Sequence, residues 1–294
     1  MEQYNYKKGI PAILACYLLW GSQPLFWNYC KCFDTFFLLA SRIIWASVFC
    51  FIILKLQGKI PQYVSIFKNK TVLKKECLAM LFLFADWAIY LWAVQHGRVL
   101  ECALGYFIQP VVIFAFGALI FHEKISWKLG IVLLFIFAGI VWSARGFNGL
   151  PWVTIVLALL FSVYAAIKKG LMLDSIVSTS CEITLMLPIS IFMLLVFYRG
   201  ENGLASLNLQ KILLLMASGI VTAAPMLLFS ISLSNLPLTT NAVGQYLSPS
   251  ISIVCGAILG EALTRDKLIS FVFVWIAVIL YTIITLNESK STKP

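Results

Sequence analysis

The sequence predicts an all-α integral membrane protein, ten transmembrane helices arranged as two inverted five-helix repeats. Three observations carry this expectation. The 294 residues are 61% hydrophobic, with a mean hydropathy of +0.94 and only 12% charged residues, against about 25% in a soluble domain. Apolar stretches recur at the length a bilayer demands, roughly 20 residues for a hydrocarbon core about 30 Å thick. The chain also nearly repeats itself: at a shift of 139, Gly105 falls on Gly244, Pro110 on Pro249 and Gly117 on Gly256.

The ten predicted segments are 9–28, 36–56, 77–95, 100–121, 127–145, 150–168, 177–198, 210–232, 238–259 and 267–286, joined by short connections of which the longest, near 57–76, is rich in lysine. The first carries Pro24 and the second Arg42; the third carries Asp86 near its middle. The fourth holds Glu101, Gly105, Gln109 and Pro110. The seventh carries Glu182 and Pro188, the eighth Pro225, and the ninth Asn241, Gln245, Ser248, Pro249 and Ser252. The fifth and tenth are plainly apolar.

A period near half the chain length indicates a duplicated unit. Pro11 and Pro151 follow at a shift of 140, and one deleted residue brings His122-Glu123 onto Gly260-Glu261. The halves are then 1–147 and 148–294. Five is an odd number of crossings, so the second copy enters the membrane from the opposite side. Inverted repeats of this kind place a ligand site near the midplane, between the halves.

Lysine and arginine set the orientation. With the amino terminus cytoplasmic, fourteen of them lie on inside connections and seven on outside ones, so both termini are expected inside.

Proline in a helix interior removes a backbone hydrogen bond and bends the helix, at a cost of about 3 kcal/mol in water. Pro110 and Pro249 stand at equivalent places in segments four and nine and are the expected hinges. In segment nine the spacing of Asn241, Gln245, Ser248 and Ser252 makes one polar face; Glu101, Gly105, Gln109 and Val112 repeat that spacing in segment four. Such faces serve either helix–helix hydrogen bonding or a ligand. Gln109 and Gln245, beside the glycine and proline, point to ligand contact; Gly256 and Gly260 form a G-x-x-x-G suited to packing.

A charge near the bilayer centre is costly. Asp86 and Arg42 lie at similar depth and are expected to pair, either as a neutralised anchor or as the polar contact for a substrate or proton. Glu101 and Glu182, closer to water, are further candidates for a proton. Trp20, Trp87, Tyr90, Tyr106 and Ser248 complete the candidate lining, since an aromatic wall with few polar anchors suits an amphipathic small molecule.

Several classes are excluded. No G-x-x-x-x-G-K-[ST] is present, so ATP does not power this chain. H-E-x-x-H and G-x-S-x-G are absent, and no dedicated catalytic cluster points to an enzyme. The eight cysteines are scattered and only two histidines exist, so neither a metal site nor a cofactor is expected. The net charge of +10 sits between apolar runs and does not build a nucleic-acid groove.

Stretches spanning most of the chain in order, "YLLWGSQPLFW" (17–27), "SRIIWAS" (41–47), "YLWAVQHGRVLECALGYFIQP" (90–110), "VTAAPMLLF" (221–229) and "LPLTTNAVGQYLSP" (236–249), resemble the drug/metabolite transporter superfamily, EamA type, and within it the RarD-like branch. The resemblance implies ten helices in two inverted repeats and a central cavity lined by segments 1, 3, 4, 6, 8 and 9. It implies a transporter of metabolites; the reading taken here is a secondary transporter of a bacterial cytoplasmic membrane, monomer or weak dimer, moving a small amphipathic metabolite such as an amino acid, with a proton as a candidate coupling ion. Here Asp86 stands where the branch leads one to expect Asn, and Ser41 where His is expected. The alternative is a membrane-embedded lipid-handling protein or enzyme.

Overall fold

The computed structural model describes residues 5–120, 127–147, 149–169, 171, 173–198, 204–236 and 245–291. Among them no strand occurs. The helices are α1 (Tyr6–Tyr29), α2 (Thr35–Leu56), α3 (Ile60–Lys68), α4 (Lys70–Gln95), α5 (Val99–Ile120), α6 (Trp127–Gly146), α7 (Trp152–Lys169), α8 (Ser175–Phe197), α9 (Leu209–Asn235), α10 (Leu247–Ile258) and α11 (Arg265–Ser291).

Five of these start on an Asn or Asp cap. The side chains of Asn5, Asp34, Asn69, Asp174 and Asn208 each accept from a backbone N–H in the first turn of α1, α2, α4, α8 and α9, satisfying donors that have no partner inside the helix. Asn69 starts α4 at Lys70, seven residues ahead of the expected 77.

The lysine-rich connection is not merely a loop. It holds α3, with Pro61 in its first turn. Ile66 is buried with Leu54, Ile176, Val177 and Cys181. Tyr63 donates to Thr184 Oγ1 at 2.9 Å, and Lys59 pairs with Asp174 at 2.8 Å. α3 therefore lies against α8 and the start of α4.

Among the described helices, α1, α2, α4, α8 and α9 are long and apolar enough to cross a membrane; α5, α6, α7 and α10 contribute shorter apolar stretches. Large apolar side chains such as Leu18, Phe51, Leu134 and Phe137 are more than half exposed, while Glu76, Glu182 and Arg42 are buried. That inversion of the soluble pattern fits a surface solvated by lipid. The chain is a multi-pass membrane protein.

The helices pack as α1 with α9 and α10, α2 with α8 and α9, α4 with α7 and α8, α5 with α7 and α10, and α6 with α11. Small residues make the closest approaches. A Cβ at Gly219 of α9 would lie 2.6 Å from the Trp45 backbone of α2, and one at Gly21 of α1 would lie 2.7 Å from Ile251 of α10. Close backbone contact through small residues is the means of helix association in lipid. Gly256 meets Leu100 of α5 in the same way, whereas Gly260, with φ of 87°, ends α10 by a left-handed turn that glycine enters without strain.

Candidate functional site

α4 sets the centre of the site. Asp86 and Tyr90 are one turn apart and both buried. Trp87 lies beside them, and the Tyr90 ring meets Tyr106 of α5 at 5.7 Å. From α2, the Arg42 guanidinium lies over two indoles, 4.3 Å from the Trp87 ring centroid and 4.7 Å from that of Trp27. Its Nε donates to Thr222 Oγ1 of α9 at 2.8 Å. Four helices thus converge on one cation, and Asp86, Tyr90 and Tyr106 are within its electrostatic reach.

The expected direct Arg42–Asp86 ion pair is not formed. Arg42 is turned to Thr222 and the two tryptophans instead, and its Nη1 has no hydrogen-bond partner; neither has Asp86 Oδ1. Similar depth along two helices does not make two side chains face one another. On α5, one turn after Tyr106, Gln109 Oε1 accepts from Gln245 Nε2 at 3.4 Å, and Gln109 Nε2 is buried without a partner. A buried polar atom left without a partner requires an explanation, and here three lie on α2, α4 and α5.

The other nominated residues lie elsewhere. Trp20 packs with Tyr17 and Phe229 in a separate aromatic cluster. Ser248 lies at the close crossing of α10 with α1, its carbonyl against Gly21. Glu101 pairs with Arg98 at 2.9 Å at the start of α5, where Arg98 also rests over Trp92 and Trp152. Glu182 pairs with Lys168 at 2.8 Å, toward the opposite end of the helices. Asn241, Gly244, His122 and Glu123 lie outside the described residues.

The two prolines expected to be hinges are both placed on helices. α5 runs helically through Pro110. Pro249 sits in the first turn of α10, where a missing N–H has no helical acceptor to lose; residues 238–244 of the predicted segment 238–259 lie outside the described residues.

Some participants were not foreseen. Pro225 lacks the N–H that would reach the carbonyl of Val221; Gln23 of α1 donates to that oxygen at 2.9 Å and accepts from Trp27 Nε1 at 3.4 Å. The proline and the glutamine are each visible in the sequence, but only their apposition assigns the bond. Glu261 accepts from the N–H groups of Val99 and Leu100, capping α5 from the α10–α11 connection. A cavity of about 160 Å³ lies between α2, α8 and α9, lined by Phe37, Trp45 and Leu215 among others and not by Asp86.

Residues 7–145 match the model of the EamA-like transporter family. The uncharacterized transporter YojE of Bacillus subtilis (strain 168) is 31% identical over 298 residues, covering 100% of this chain and 99% of that one. The chain is a member of the EamA-like family, in its RarD-like branch. Protein RarD of Streptomyces exfoliatus is 29% identical over 94% of this chain and 89% of its own, and protein RarD of Escherichia coli (strain K12) is 24% identical over 99% of each. A protein of known crystal structure superposes with a TM-score of 0.60 over 97% of this chain and 99% of that one, at 16% identity; that likeness concerns the fold alone. Membership makes the chain a transporter. The EamA-like match covers the helices that supply Arg42, Asp86, Tyr90 and Tyr106.

Proposed function

We propose that this transporter is a secondary carrier of a small amphipathic metabolite, an amino acid or a related compound. It works by alternating access across a bacterial cytoplasmic membrane, with both termini inside. The observation that carries the reading is the pair of unpartnered buried atoms Asp86 Oδ1 and Arg42 Nη1, set with Trp27, Trp87, Tyr90 and Tyr106, with a third, Gln109 Nε2, one turn after Tyr106 on α5. A zwitterion matches them: its ammonium suits Asp86, its carboxylate the free edge of Arg42, and its side chain the aromatic wall. A charge in this position without a ligand is costly.

The helix contacts support two inverted halves, 1–147 and 148–294. Under that division α1 to α2 and α4 to α6 correspond in order to α7 to α11. The contact of α1 with α9 then matches that of α7 with α4, α2 with α9 matches α8 with α4, and α5 with α7 matches α10 with α1. The pairs α2–α8, α5–α10 and α6–α11 map onto themselves. Such a set is what a two-fold axis relating the halves demands, and an odd number of crossings in each half would lay that axis in the membrane plane.

The test is a thermal-shift screen of purified protein against an amino-acid and metabolite panel, because a ligand that binds only the folded form raises its apparent stability. The ligand found is then titrated against Asp86→Asn at several pH values. The reading expects weaker binding or a flattened pH dependence in the variant. Identical affinities and profiles would make Asp86 structural.

A further inference from the structure

A second buried charge cluster lies about 15 Å along α4 from Asp86, at 1.5 Å per residue over the ten residues back to Glu76. Glu76 of α4 and Glu182 of α8 are both fully buried. Lys168, near the end of α7, is placed between them, 3.3 Å from a Glu76 oxygen and 2.8 Å from a Glu182 oxygen. Ser178 donates to Glu76 and Tyr164 donates to Glu182, the latter at 3.2 Å.

The charge does not balance. Two carboxylates against one ammonium leave a net charge of −1. Among the described side chains, the other titratable neighbours are Tyr164 on α7, Cys181 on α8 and Cys77 on α4, none of them a cation, and Lys74 and Lys75 of α4 are exposed. From α3, Tyr63 is engaged with Thr184, while Lys59 is committed to Asp174. From α2, Cys50 faces Ser180 of α8. An unbalanced buried charge is disfavoured, and two carboxylates sharing one site cannot both remain ionised without cost. A proton taken up by the pair removes the excess.

We propose that Glu76, Lys168 and Glu182 form a proton-binding site that carries one exchangeable proton, shared between the two carboxyls and loaded from the lysine-rich face. Binding adds one proton from hydronium to a carboxylate oxygen and releases water; no other bond changes. The proton belongs to the pair rather than to either residue. Lys168 is the route of access, because its side chain is 19% exposed while both carboxylates are shut off. The site also joins the two proposed halves, since α4 belongs to the first and α7 and α8 to the second. Within the transport reading a coupling proton would be carried here. The proton-binding claim stands without that reading.

Infrared spectroscopy of the purified full-length protein tests it, with no ligand required. The wild type at neutral pH should show a protonated-carboxyl C=O band that shifts on transfer to D₂O. Asp86→Asn should retain the band, which removes the midplane aspartate as its source. Glu76→Gln and Glu182→Gln should each lose it, because either leaves one carboxylate against one ammonium. The wild-type and Asp86→Asn spectra keep the test decisive even where a cluster variant does not fold. A wild type without the band, a band lost in Asp86→Asn, or a band unchanged in both glutamine variants would overturn the proposal while leaving the transporter reading intact.

Discussion

Arg42→Lys separates the two ways in which a buried cation can be held. The guanidinium lies 4.3 Å from the Trp87 ring centroid and 4.7 Å from that of Trp27, and donates from Nε to Thr222 at 2.8 Å. A hydrogen bond from a charged group contributes about 1.5–3 kcal/mol, and a desolvated cation–π contact about 2 kcal/mol. Lysine keeps the charge, so no unpaired partner is created. It lacks the Nε donor and the flat, delocalised surface that can meet two indoles at once, though its ammonium can still face one ring. The loss is therefore one hydrogen bond and one ring contact, about 3–5 kcal/mol. At roughly 2–4 °C per kcal/mol for a chain of this order, the thermal midpoint in detergent should fall by about 10 °C. Tryptophan fluorescence during heating reads it directly. Thr222→Val removes only the hydrogen bond, and in that background Arg42→Lys should cost about 1.5–3 kcal/mol less, since residues in contact do not add. A lysine variant as stable as the wild type would refute the reasoning. So would strict additivity with Thr222→Val, which would strip the hydrogen bond of any role.

Gln23→Leu should destabilise by about 1–3 kcal/mol, the cost of stranding a buried carbonyl. It should cost less in a Pro225→Ala background, where the alanine N–H can reach Val221 again, as thermal unfolding of the four proteins in the cycle would register. Replacing both Pro110 and Pro249 with Ala should leave folding intact and slow transport of the ligand the screen identifies; unchanged rates would dismiss them as hinges. Asp174 is raised by its own burial, but the Lys59 bond and the N–H groups of Val177 and Ile176 outweigh that and hold it below the usual carboxylate range. Its contribution is complete above the ordinary carboxylate pKa and disappears as pH falls through the lower folded value. Asp174→Asn should thus flatten the acid limb of a stability–pH curve, by no more than about 1 kcal/mol for so exposed a pair.

Most of the helix order was legible, because length and apolarity are properties of the chain alone. The boundaries shifted where a cap decides them: Asn69 and Asn208 are short polar residues that look like connection until their side chains are seen on the first turn. α3 was illegible for a different reason. Nine residues that follow Lys59 and end in Lys68 resemble a solvated loop, and their helicity rests on Ile66 and Tyr63 meeting α8, a tertiary fact.

Depth was readable for the charged groups and direction was not. Position along a helix follows from counting at 1.5 Å per residue, which correctly set Arg42 and Asp86 inside the protein. Which neighbour each one faces depends on the rotation of four helices about one another. Thr222, Trp27 and Trp87 claimed the arginine. The same limit explains Glu76. Counted from the lysines at 70, 74 and 75 it resembles the wet end of a helix, and Lys168 resembles a loop cation that merely orients the chain. Packing of α4, α7 and α8 buries Glu76 and draws Lys168 inward against it. An ionisable residue one or two turns from a predicted helix end can therefore be as dry as one at the centre. Distance from the midplane measures the cost of exposure to lipid; what the neighbouring helices bring to the same level determines whether the charge is paired.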